Sequence, residues 1–584
     1  MYKEWRVLPK APVSFINECK SFHPLIAQLL YNRGLQSQQQ IQTFFTPEFE
    51  KLHDPFLFQG MEKAVQRIWR AVSRKEKIII HGDYDADGVT SSAVIYKALK
   101  MLRANVEVFI PHRELDGYGI NLKTANNFIA RSADLIITVD CGITNFKEVE
   151  RLNEAGIEVI ITDHHEPPQV LPDAFAIIDP KVATDNYPFR DLSGAAVAYK
   201  LVQGLLSNPA LREERGKRVK TKGLELRFQE YGGVEGFKKW LLDIVAIGVV
   251  ADVMPLLDEN RILVKWGLLV LNKTKSPGLR KLLELIHTKK IDSYTIGYQL
   301  APRLNAAGRM KHASVAFNLL VTEDEVEAEA IAQELQENNL ARQKVTETAV
   351  GQAKQQLILQ EQKNILFAFN PTWPAGVIGL IAGKLSDEFY RPVVAMTTVD
   401  AQIVGSGRSI EGYNITEALN QMSHMFARFG GHSQACGFTL IRQEILEEFK
   451  ISLGAHATAE FKNLELKPFV DVDAEINLGE INLGFYDQLE LFEPFGEGNV
   501  KPRFLIHNAQ VIATDYIGVE GKHLRLMVKQ NTPQVYKMMK FGNGASYVDK
   551  IAVGDKLDII CEINKSDWSG RPEIEYKIID LIKN

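Results

Sequence analysis

The sequence predicts an α/β protein with a mostly parallel sheet, a long helix leading to a second α/β region, and a C-terminal antiparallel barrel. Three observations support this fold class. Short apolar runs alternate with helical stretches over about residues 60–200, a proline-free segment spans 323–360, and five strand-like runs follow residue 504. At 584 residues the chain is longer than a single hydrophobic core supports, so several domains are expected.

The first region contains five short, mainly apolar runs, in which Glu107 is the single charged residue. Such runs are typical of strands that are buried on both faces of a parallel sheet. They are 78–80, 106–110, 135–139, 159–161 and 176–178. Between about residues 205 and 240 the sequence turns polar and basic, with REERGKRVKTKG at 212–223. This stretch is predicted to be a surface insertion between helices, with contact to nucleic acid as the alternative.

Residues 323–360 contain no proline and a single glycine, and their apolar residues recur largely at a four-residue interval. This pattern predicts one long helix. At 1.5 Å per residue such a helix would span roughly 57 Å, which suits a strut between two globular bodies. A coiled-coil dimer is the alternative interpretation.

The second α/β region opens with the strand-like run 365–369 and contains two glycine-rich stretches, GSGRS (405–409) and GGHSQACGF (430–438). The pattern then changes to strand-like runs separated by Gly, Asn and Asp turns, which fits the five strands of an OB-fold. These runs are 504–513, 523–529, 535–541, 556–563 and 573–582. Residues 501–584 hold 13 Lys and Arg against 10 Asp and Glu, although the whole chain has a net charge of -5.

These patterns divide the chain into five segments. They are an N-terminal lead segment (1–60), the first α/β domain (61–270), a helical connector with the long helix (271–361), the second α/β domain (362–455) and the barrel domain (456–584). The most apolar stretch, 240–257, is interrupted by Asp243 and Asp252, so no membrane span is predicted. The N-terminus lacks a secretion signal, so we expect a cytoplasmic protein.

Carboxylates and histidines recur where the predicted strands or helices end. Because the carboxyl ends of parallel strands line one crevice, we expect these side chains to converge there. Any one of them alone could be a helix cap or a turn residue, but their recurrence at four places favours a functional site. The four clusters are Asp83, Asp85 and Asp87; Asp140; Asp163, His164 and His165; and Asp252.

Several carboxylates in one crevice repel each other unless cations neutralise them. Carboxylate oxygens with one or two imidazoles suit Mn²⁺ or Mg²⁺, whereas a structural zinc site would usually require cysteines. The four cysteines of the chain contain no close-spaced pair. Two divalent cations roughly 3.5–4 Å apart would activate water and clamp a phosphate, so the clusters predict phosphoester hydrolysis.

Four motifs, HGDYDADG, VDCGIT, DHH and GVVADVMPL, resemble in order and spacing the motif set of the DHH phosphoesterase superfamily. GSGRS and GGHSQACGF resemble its DHH-associated domain. LAPRLNAAGRM (300–310) and FEPFGEGN (492–499) resemble the RecJ exonuclease family in particular. The resemblance implies a single-strand-specific DNA exonuclease of repair and recombination that runs 5′ to 3′ and releases 5′-mononucleotides.

The resemblance also implies roles for individual residues. Asp83 has three open roles, which are orienting His81, joining the metal shell or forming a turn. His165 would face the scissile phosphate as a proton donor or charge stabiliser. The implied ligands of two Mn²⁺ or Mg²⁺ ions are His81, Asp85, Asp87, Asp140 as a bridge, His164 and Asp252. The candidate substrate contacts are Arg113, Arg303, Arg309, Ser406, Arg408 and His432.

Two other functions remain open at this point. A member of the same superfamily could act on cyclic dinucleotides, short oligonucleotides or pyrophosphate, and a related protein without activity could serve as a nucleic-acid-binding scaffold. We expect a monomer that binds single-stranded DNA, with a single-strand-binding protein and a helicase as further partners that the family resemblance suggests.

Overall fold

The computed structural model describes residues 3–207, 213–214, 217–218, 225–288, 290–360, 363–463, 467–542, 547, 550–566 and 571–584. It forms two compact units, one containing Met1–Lys51 with Lys467–Asn584 and the other containing Leu52–Leu466. The N-terminal elements are β1 (Glu4–Val7), α1 (Val13–Glu18), α2 (Pro24–Asn32) and α3 (Gln38–Phe45). No helix among the described residues combines the length and apolar character needed to cross a membrane.

The first α/β region is built on a five-stranded sheet in which every pairing is parallel, with strand order β3-β2-β4-β5-β6. Each of the five predicted apolar runs forms one of its strands, which confirms that prediction. The elements are α4 (Met61–Arg74), β2 (Lys77–Gly82), α5 (Ala86–Met101), β3 (Asn105–Phe109), α6 (Leu122–Ala130), β4 (Leu135–Val139), α7 (Phe146–Glu154), β5 (Glu158–Thr162), β6 (Ala176–Ile178) and α8 (Gly194–Ser207).

The apolar runs form strands because both faces of the sheet are covered. Ile79 and Ile136 lie on one face and pack in a buried cluster with Phe128 of α6 and Val149 of α7. Helices α5 and α8 pack against strands of the same sheet. Hydrophobic burial on both faces therefore removes the alternation of polar and apolar residues.

Mostly helical elements connect the two α/β regions. The long predicted helix is confirmed as α16, which has 34 residues and is capped by the Asp324 side chain. The described part of the predicted surface insertion at 212–223 is limited to two short strands; its other residues lie outside the described ranges. The elements are β7 (Glu213–Glu214), β8 (Lys217–Arg218), α9 (Val234–Trp240), α10 (Leu242–Ala251), α11 (Asp258–Leu271), α12 (Pro277–Ile286), α13 (Ser293–Thr295), a π-helix (Ile296–Leu300), α14 (Ala301–Met310), α15 (Ser314–Val321) and α16 (Glu325–Ile358).

The second α/β region has a mixed sheet of order β12-β13-β11-β10-β9, in which only β9 and β10 pair in parallel. Helix α16 packs along α12 and α14 and also against β9 and α17, so its apolar stripe is covered by this chain. The elements are β9 (Leu366–Phe369), α17 (Ala375–Phe389), β10 (Val393–Val399), β11 (Gln402–Arg408), α18 (Ile415–Asn420), β12 (Phe426–His432), β13 (Ala435–Leu440) and α19 (Leu446–Glu460).

The C-terminal region forms the predicted five-stranded barrel. Its strands run in the order β16-β17-β18-β20-β19, and pairing between β16 and β19 closes it. Strand β1 pairs with β14, and side chains of α2 and α3 join the barrel core, so the first 51 residues belong structurally with this region. The elements are β14 (Phe469–Val472), β15 (Ala474–Glu475), α20 (Leu483–Glu490), β16 (Phe504–Ile517), β17 (His523–Lys529), β18 (Tyr536–Lys540), β19 (Lys556–Ser566) and β20 (Glu573–Lys583).

Candidate metal centre

Acidic residues follow three neighbouring strands of the parallel sheet. Asp83 follows β2, Asp140 follows β4 and Asp163 follows β5, so all three stand at the carboxyl edge. Asp140 has a φ of 60°, a left-handed conformation that aspartate adopts more readily than most residues. Its N–H donates to the Thr162 carbonyl at 3.0 Å. The chain therefore leaves β4 sharply at the position of a candidate ligand.

Asp85 and Asp87 reach the site from the start of helix α5. Strand β2 ends at Gly82, and Asp85 is the N-cap whose carboxylate accepts from the N–H groups of Asp87 and Gly88. In an extended segment, alternation would place the side chains of Asp83, Asp85 and Asp87 on one face, but the helix begins at Ala86 and this arrangement does not form. Helix formation separates their side-chain directions.

The Asp87 carboxylate lies at the N-terminus of α8, where it accepts from the Gly194 N–H at 2.6 Å and the Ala195 N–H at 3.0 Å. Two glycines leave room for this approach. A Cβ atom on Gly194 would lie 2.6 Å from the Asp140 Cβ, and one on Gly248 would lie 2.6 Å from Asp87 Oδ1. The main chains of α8 and α10 can therefore pack directly against the carboxylates.

Three overlapping groups of side chains present possible ligand atoms within 4.8 Å of one another. Asp140 and His164 each belong to two of these groups, so the groups form one continuous cluster. The bridging role that the resemblance implies for Asp140 stays a prediction. The groups are Asp83, Asp85 and Asp140; Asp140, His164 and His165; and Asp87, His164 and Asp252.

His164 is close to three of the carboxylates. Its Nε2 atom lies 3.0 Å from Asp140 Oδ1, 3.5 Å from Asp252 Oδ2 and 3.9 Å from Asp87 Oδ2. Burial, followed by the charge of His165, lowers the pKa of His164 to about 3. The imidazole is therefore neutral at ordinary pH, which is the form that binds a metal ion.

Burial and mutual repulsion make the charged state of these carboxylates unfavourable without cations. Burial, followed by the Asp87 charge, raises the pKa of Asp140 well above its ordinary value. Burial and the Asp85 charge raise the pKa of Asp87 to about 7. Divalent cations would reverse both effects, because they stabilise ionised oxygen ligands.

Polar atoms without hydrogen-bond partners show that the donor set fits metal ions. Among the described residues, the buried atoms Asp83 Oδ1, Asp140 Oδ1, His164 Nδ1 and Asp252 Oδ2 have no such partner. Buried polar atoms are seldom left unsatisfied in folded proteins. Oxygen atoms with an imidazole form a suitable shell for Mn²⁺ or Mg²⁺.

His81 is not part of any of these three groups. Its ring is fully buried on β2, 5.6 Å from the Phe109 ring and 5.8 Å from the Phe128 ring by centroid. The three groups therefore do not support its predicted role as a ligand, although both ring nitrogens lack a hydrogen-bond partner among the described residues. Asp83, in contrast, lies with Asp85 and Asp140 in one group, which favours the metal shell among its three open roles.

His165 lies at the side of the cluster that faces the second α/β region. Its Nδ1 atom is 2.8 Å from Asp163 Oδ1 and 3.0 Å from the Tyr118 hydroxyl. Burial by itself would lower the pKa of His165, but the hydrogen bond and charge of Asp163 outweigh burial and raise it to about 9. The ring of His432 stands 6.0 Å away, nearly parallel to it. His432 therefore lies beside His165, and its contact with substrate stays a prediction.

Three of the predicted arginines, Arg113, Arg309 and Arg408, form a cationic group with Arg342 beside the cluster. Burial, followed by repulsion from Arg113, Arg342 and Arg408, lowers the pKa of Arg309 to about 9. Arg309 Nη1 also donates to the Gly376 carbonyl at 2.8 Å. Among the described residues, none of the ion pairs involves these four arginines, so their charge is available to an anion.

Ser406 and Arg408 lie together on β11, where Arg408 Nη1 donates to Ser406 Oγ at 3.2 Å. A Cβ atom on Gly379 of α17 would lie 3.2 Å from that Oγ and 3.3 Å from Arg408 Nη2, so the glycine keeps space open beside them. Arg303 has different partners, since it donates to Gln336 and to the Gln299 carbonyl.

Sequence reasoning missed Arg342 and Tyr118. Arg342 lies among the many charged residues of α16, but buried Asn338, Asn339 and Thr346 on the same helix were a possible signal. Tyr118 stands between two glycines with positive φ after β3, and its hydroxyl donates to the Asp140 carbonyl at 3.2 Å. Its flanking glycines and its position at the carboxyl edge could have pointed to it.

Three family models match the chain. The model of the DHH family, N-terminal domain, matches residues 77–249, the DHHA1 domain model matches 362–454, and the RecJ OB domain model matches 472–580. The first match includes the candidate ligands at the strand ends, and the second includes Ser406, Arg408 and His432.

Curated relatives match over most of the chain. The single-stranded-DNA-specific exonuclease RecJ of Bacillus subtilis is 35% identical over 97% of this chain and 69% of its own length. The protein of the same name from Escherichia coli is 32% identical over 87% of this chain and 86% of its own length. The crystal structure of RecJ in complex with Mn²⁺ from Thermus thermophilus superposes with a TM-score of 0.82 at 27% identity, covering 100% of this chain and 80% of that chain. The Mg²⁺ complex from the same organism gives 0.76 at 26% identity, covering 100% and 78%.

Proposed function

Because the chain belongs to the RecJ family of single-stranded-DNA-specific exonucleases, we propose that it hydrolyses single-stranded DNA from the 5′ end and releases 5′-mononucleotides. The observation that carries this proposal is the convergence of three overlapping Asp and His groups beside arginines that have no acidic partner among the described residues. Negative phosphates and divalent cations are the ligands that such a pair of sites attracts.

The proposed ligands of two Mn²⁺ or Mg²⁺ ions are Asp83, Asp85, Asp87, Asp140, His164 and Asp252, with His81 kept from the sequence prediction as a further candidate. Two bound divalent cations would activate a water molecule and neutralise charge on the phosphate that is attacked. RecJ crystal structures from Thermus thermophilus with Mn²⁺ and with Mg²⁺ support this choice of ions.

The remaining residues orient the phosphodiester and transfer or hold protons. We assign to His165 a hydrogen bond to the scissile phosphate, because Asp163 binds its Nδ1 and thereby leaves Nε2 for the substrate. Arg113, Arg309, Ser406 and Arg408 would hold phosphate oxygens in front of the cluster. Attack of water on the phosphorus with breakage of the P–O3′ bond would release the terminal nucleotide with a 3′ hydroxyl and the 5′ phosphate it already carried. The attacked phosphate would stay on the 5′ carbon of the remaining strand.

The proposed function is tested by digesting single-stranded DNA that carries a label at either the 5′ or the 3′ end, with Mn²⁺ present. We expect the 5′ label to appear at once as a mononucleotide, while the 3′ label stays on progressively shorter strands. Duplex DNA of the same sequence, cyclic dinucleotides and dinucleotides serve as competing substrates. Faster hydrolysis of the small substrates than of the long strand would contradict the proposal and favour a short-oligonucleotide phosphodiesterase.

Arg408→Gln should weaken binding of single-stranded DNA about tenfold, because a charge-assisted contact to phosphate is lost. The slope of log Kd against log salt concentration should also fall by about one, since one phosphate contact fewer releases fewer counterions. Both quantities follow from fluorescence anisotropy titrations at several salt concentrations. Arg280→Gln is the matched control, because this half-exposed arginine pairs with Glu325. An unchanged slope in Arg408→Gln would contradict a phosphate contact.

We further propose that the protein acts as a monomer in the cytoplasm, in DNA repair and recombination. A single-strand-binding protein would supply the strand and a helicase would open duplex DNA ahead of it. Family membership is the support for these roles.

A further inference from the structure

Two tyrosines outside the cluster expose most of their aromatic surface. The side chains of Tyr294 and Tyr298 are 58% and 71% exposed, and their rings stack with centroids 4.5 Å apart at an angle of 25°. The neighbouring Ile296 and Leu300 are buried and hold the segment in place. The tyrosine pair thus presents a flat aromatic surface to solvent on a firmly packed helix.

A π-helix connects this pair to the helix of Arg303. Pro302 has no N–H to donate, and the Ala301 N–H instead bonds to the Ile296 carbonyl, five residues earlier. Arg303 lies on the first turn of α14, directly after the π-helix that contains Tyr298. The Arg303 side chain also donates to the Gln299 carbonyl at 2.7 Å, which anchors it to this turn.

The same segment packs against the helix that carries one of the candidate ligands. A Cβ atom on Gly297 would lie 3.6 Å from Val250 Cγ1, and α10 ends at its C-cap Asp252 two residues beyond Val250. The tyrosine pair is therefore attached to the border of the metal centre through α10.

Arg342 joins the cationic group of the centre to Arg303. Burial, followed by the charge of Arg303, lowers the pKa of Arg342, and Arg342 in turn is one of the charges that act on Arg309. The buried Nε atom of Arg342 has no hydrogen-bond partner among the described residues. The positively charged side chains of Arg309, Arg342 and Arg303 therefore form a path from the metal centre to the helix that carries the tyrosine pair.

From this continuity we infer that Tyr294 and Tyr298 are a stacking platform for bases of the single strand, with Arg342 and Arg303 holding the phosphates between the platform and the centre. The inference rests on the proposed function, since it names where the part of the strand beyond the scissile bond lies. Alternating cations and aromatic rings suit a single strand because its bases are free to stack, whereas the bases of a duplex face each other.

The test is a binding comparison with the full-length protein in a chelator, which prevents hydrolysis. Kd is measured by fluorescence anisotropy for a single strand of about 15 nucleotides, and for a strand of equal length that has abasic sites beyond its first residues. The variants are the double substitution Tyr294→Ala/Tyr298→Ala, the ring-preserving Tyr294→Phe/Tyr298→Phe, and Ile451→Ala. Ile451 is the matched control because it is also 71% exposed but lies on α19.

We expect the double alanine variant to bind the normal strand about tenfold more weakly than the wild type does. The wild type should lose a similar factor on the abasic strand, whereas the double alanine variant should no longer distinguish the two strands. The phenylalanine variant and Ile451→Ala should behave like the wild type. Wild-type affinity in the double alanine variant, or an equal loss on both strands, would overturn the inference and leave this surface to another partner.

Failure of this inference is distinguishable from failure of the proposed function. If the wild type digests the labelled strand in Mn²⁺ but the alanine variant binds both strands as the wild type does, only the stacking platform is refuted. If the wild type digests no single-stranded DNA, the proposed function is refuted, and the inference that rests on it is overturned with it.

Discussion

Asp140→Ala should lower kcat for single-stranded DNA by at least about 10³-fold, because Asp140 belongs to two of the three ligand groups and its loss disrupts both cation sites. Strand binding should change little, since the arginines of the second α/β region and of α14 remain. Single-turnover digestion and anisotropy titration measure these two quantities separately.

The control for this variant is Asp173→Ala, which removes an exposed carboxylate of the same α/β region outside the cluster. It should retain wild-type kcat. If Asp140→Ala kept its activity when Mn²⁺ was added in excess, the assignment of Asp140 as a bridging ligand would be wrong.

Removal of divalent cations should lower the rate of hydrolysis about as much as Asp140→Ala does. A chelator should abolish hydrolysis, and Mn²⁺ or Mg²⁺ should restore it, because the buried carboxylates repel each other and cannot hold a phosphate without cations. The cations should also raise the unfolding temperature, since a ligand that binds only the folded state stabilises it. Asp140→Ala should lose most of this rise, which scanning calorimetry detects without any substrate. Full hydrolysis in the chelator would contradict the metal centre.

The strands of the parallel sheet and the carboxylates after them could be predicted because both signals are local. The run 135–139 contains no charged residue, and Asp140 follows directly. The overlap of the ligand groups was not predictable in the same way. Asp252 reaches His164 only through the packing of α10, and the close approach of α8 depends on Gly194.

The roles of individual residues near the first motif were harder to predict. Strand alternation continued from His81 to Asp87 would place these side chains on one face, but the N–H groups of Asp87 and Gly88 bond to Asp85, and a helix replaces the extended chain. The His81 side chain points into the packing between β2 and α6 because residue 81 still belongs to the strand. Side-chain direction therefore depends on where a strand ends, and such boundaries are the least certain feature of a sequence.

The arginines show that a motif can be recognised in the sequence, whereas the position of a side chain in the folded chain cannot. Arg309 and Arg408 could be predicted because they lie in LAPRLNAAGRM and GSGRS, two motifs that resemble the family. Arg342 was missed because α16 is rich in charged residues, and only the folded chain places this arginine between Arg303 and Arg309. Long-range electrostatics of this kind depends on tertiary structure rather than on local pattern.

The most direct test of the central claim, a two-cation centre that hydrolyses single-stranded DNA, is a count of Mn²⁺ bound per chain against hydrolysis rate in the same samples. Free Mn²⁺ is measured by electron paramagnetic resonance during titration of the metal-free protein. We expect about two tightly bound ions per chain, with the rate rising as the second site fills and both features lost in Asp140→Ala. Full hydrolysis with a single bound ion, or two tight ions in Asp140→Ala, would contradict the claim.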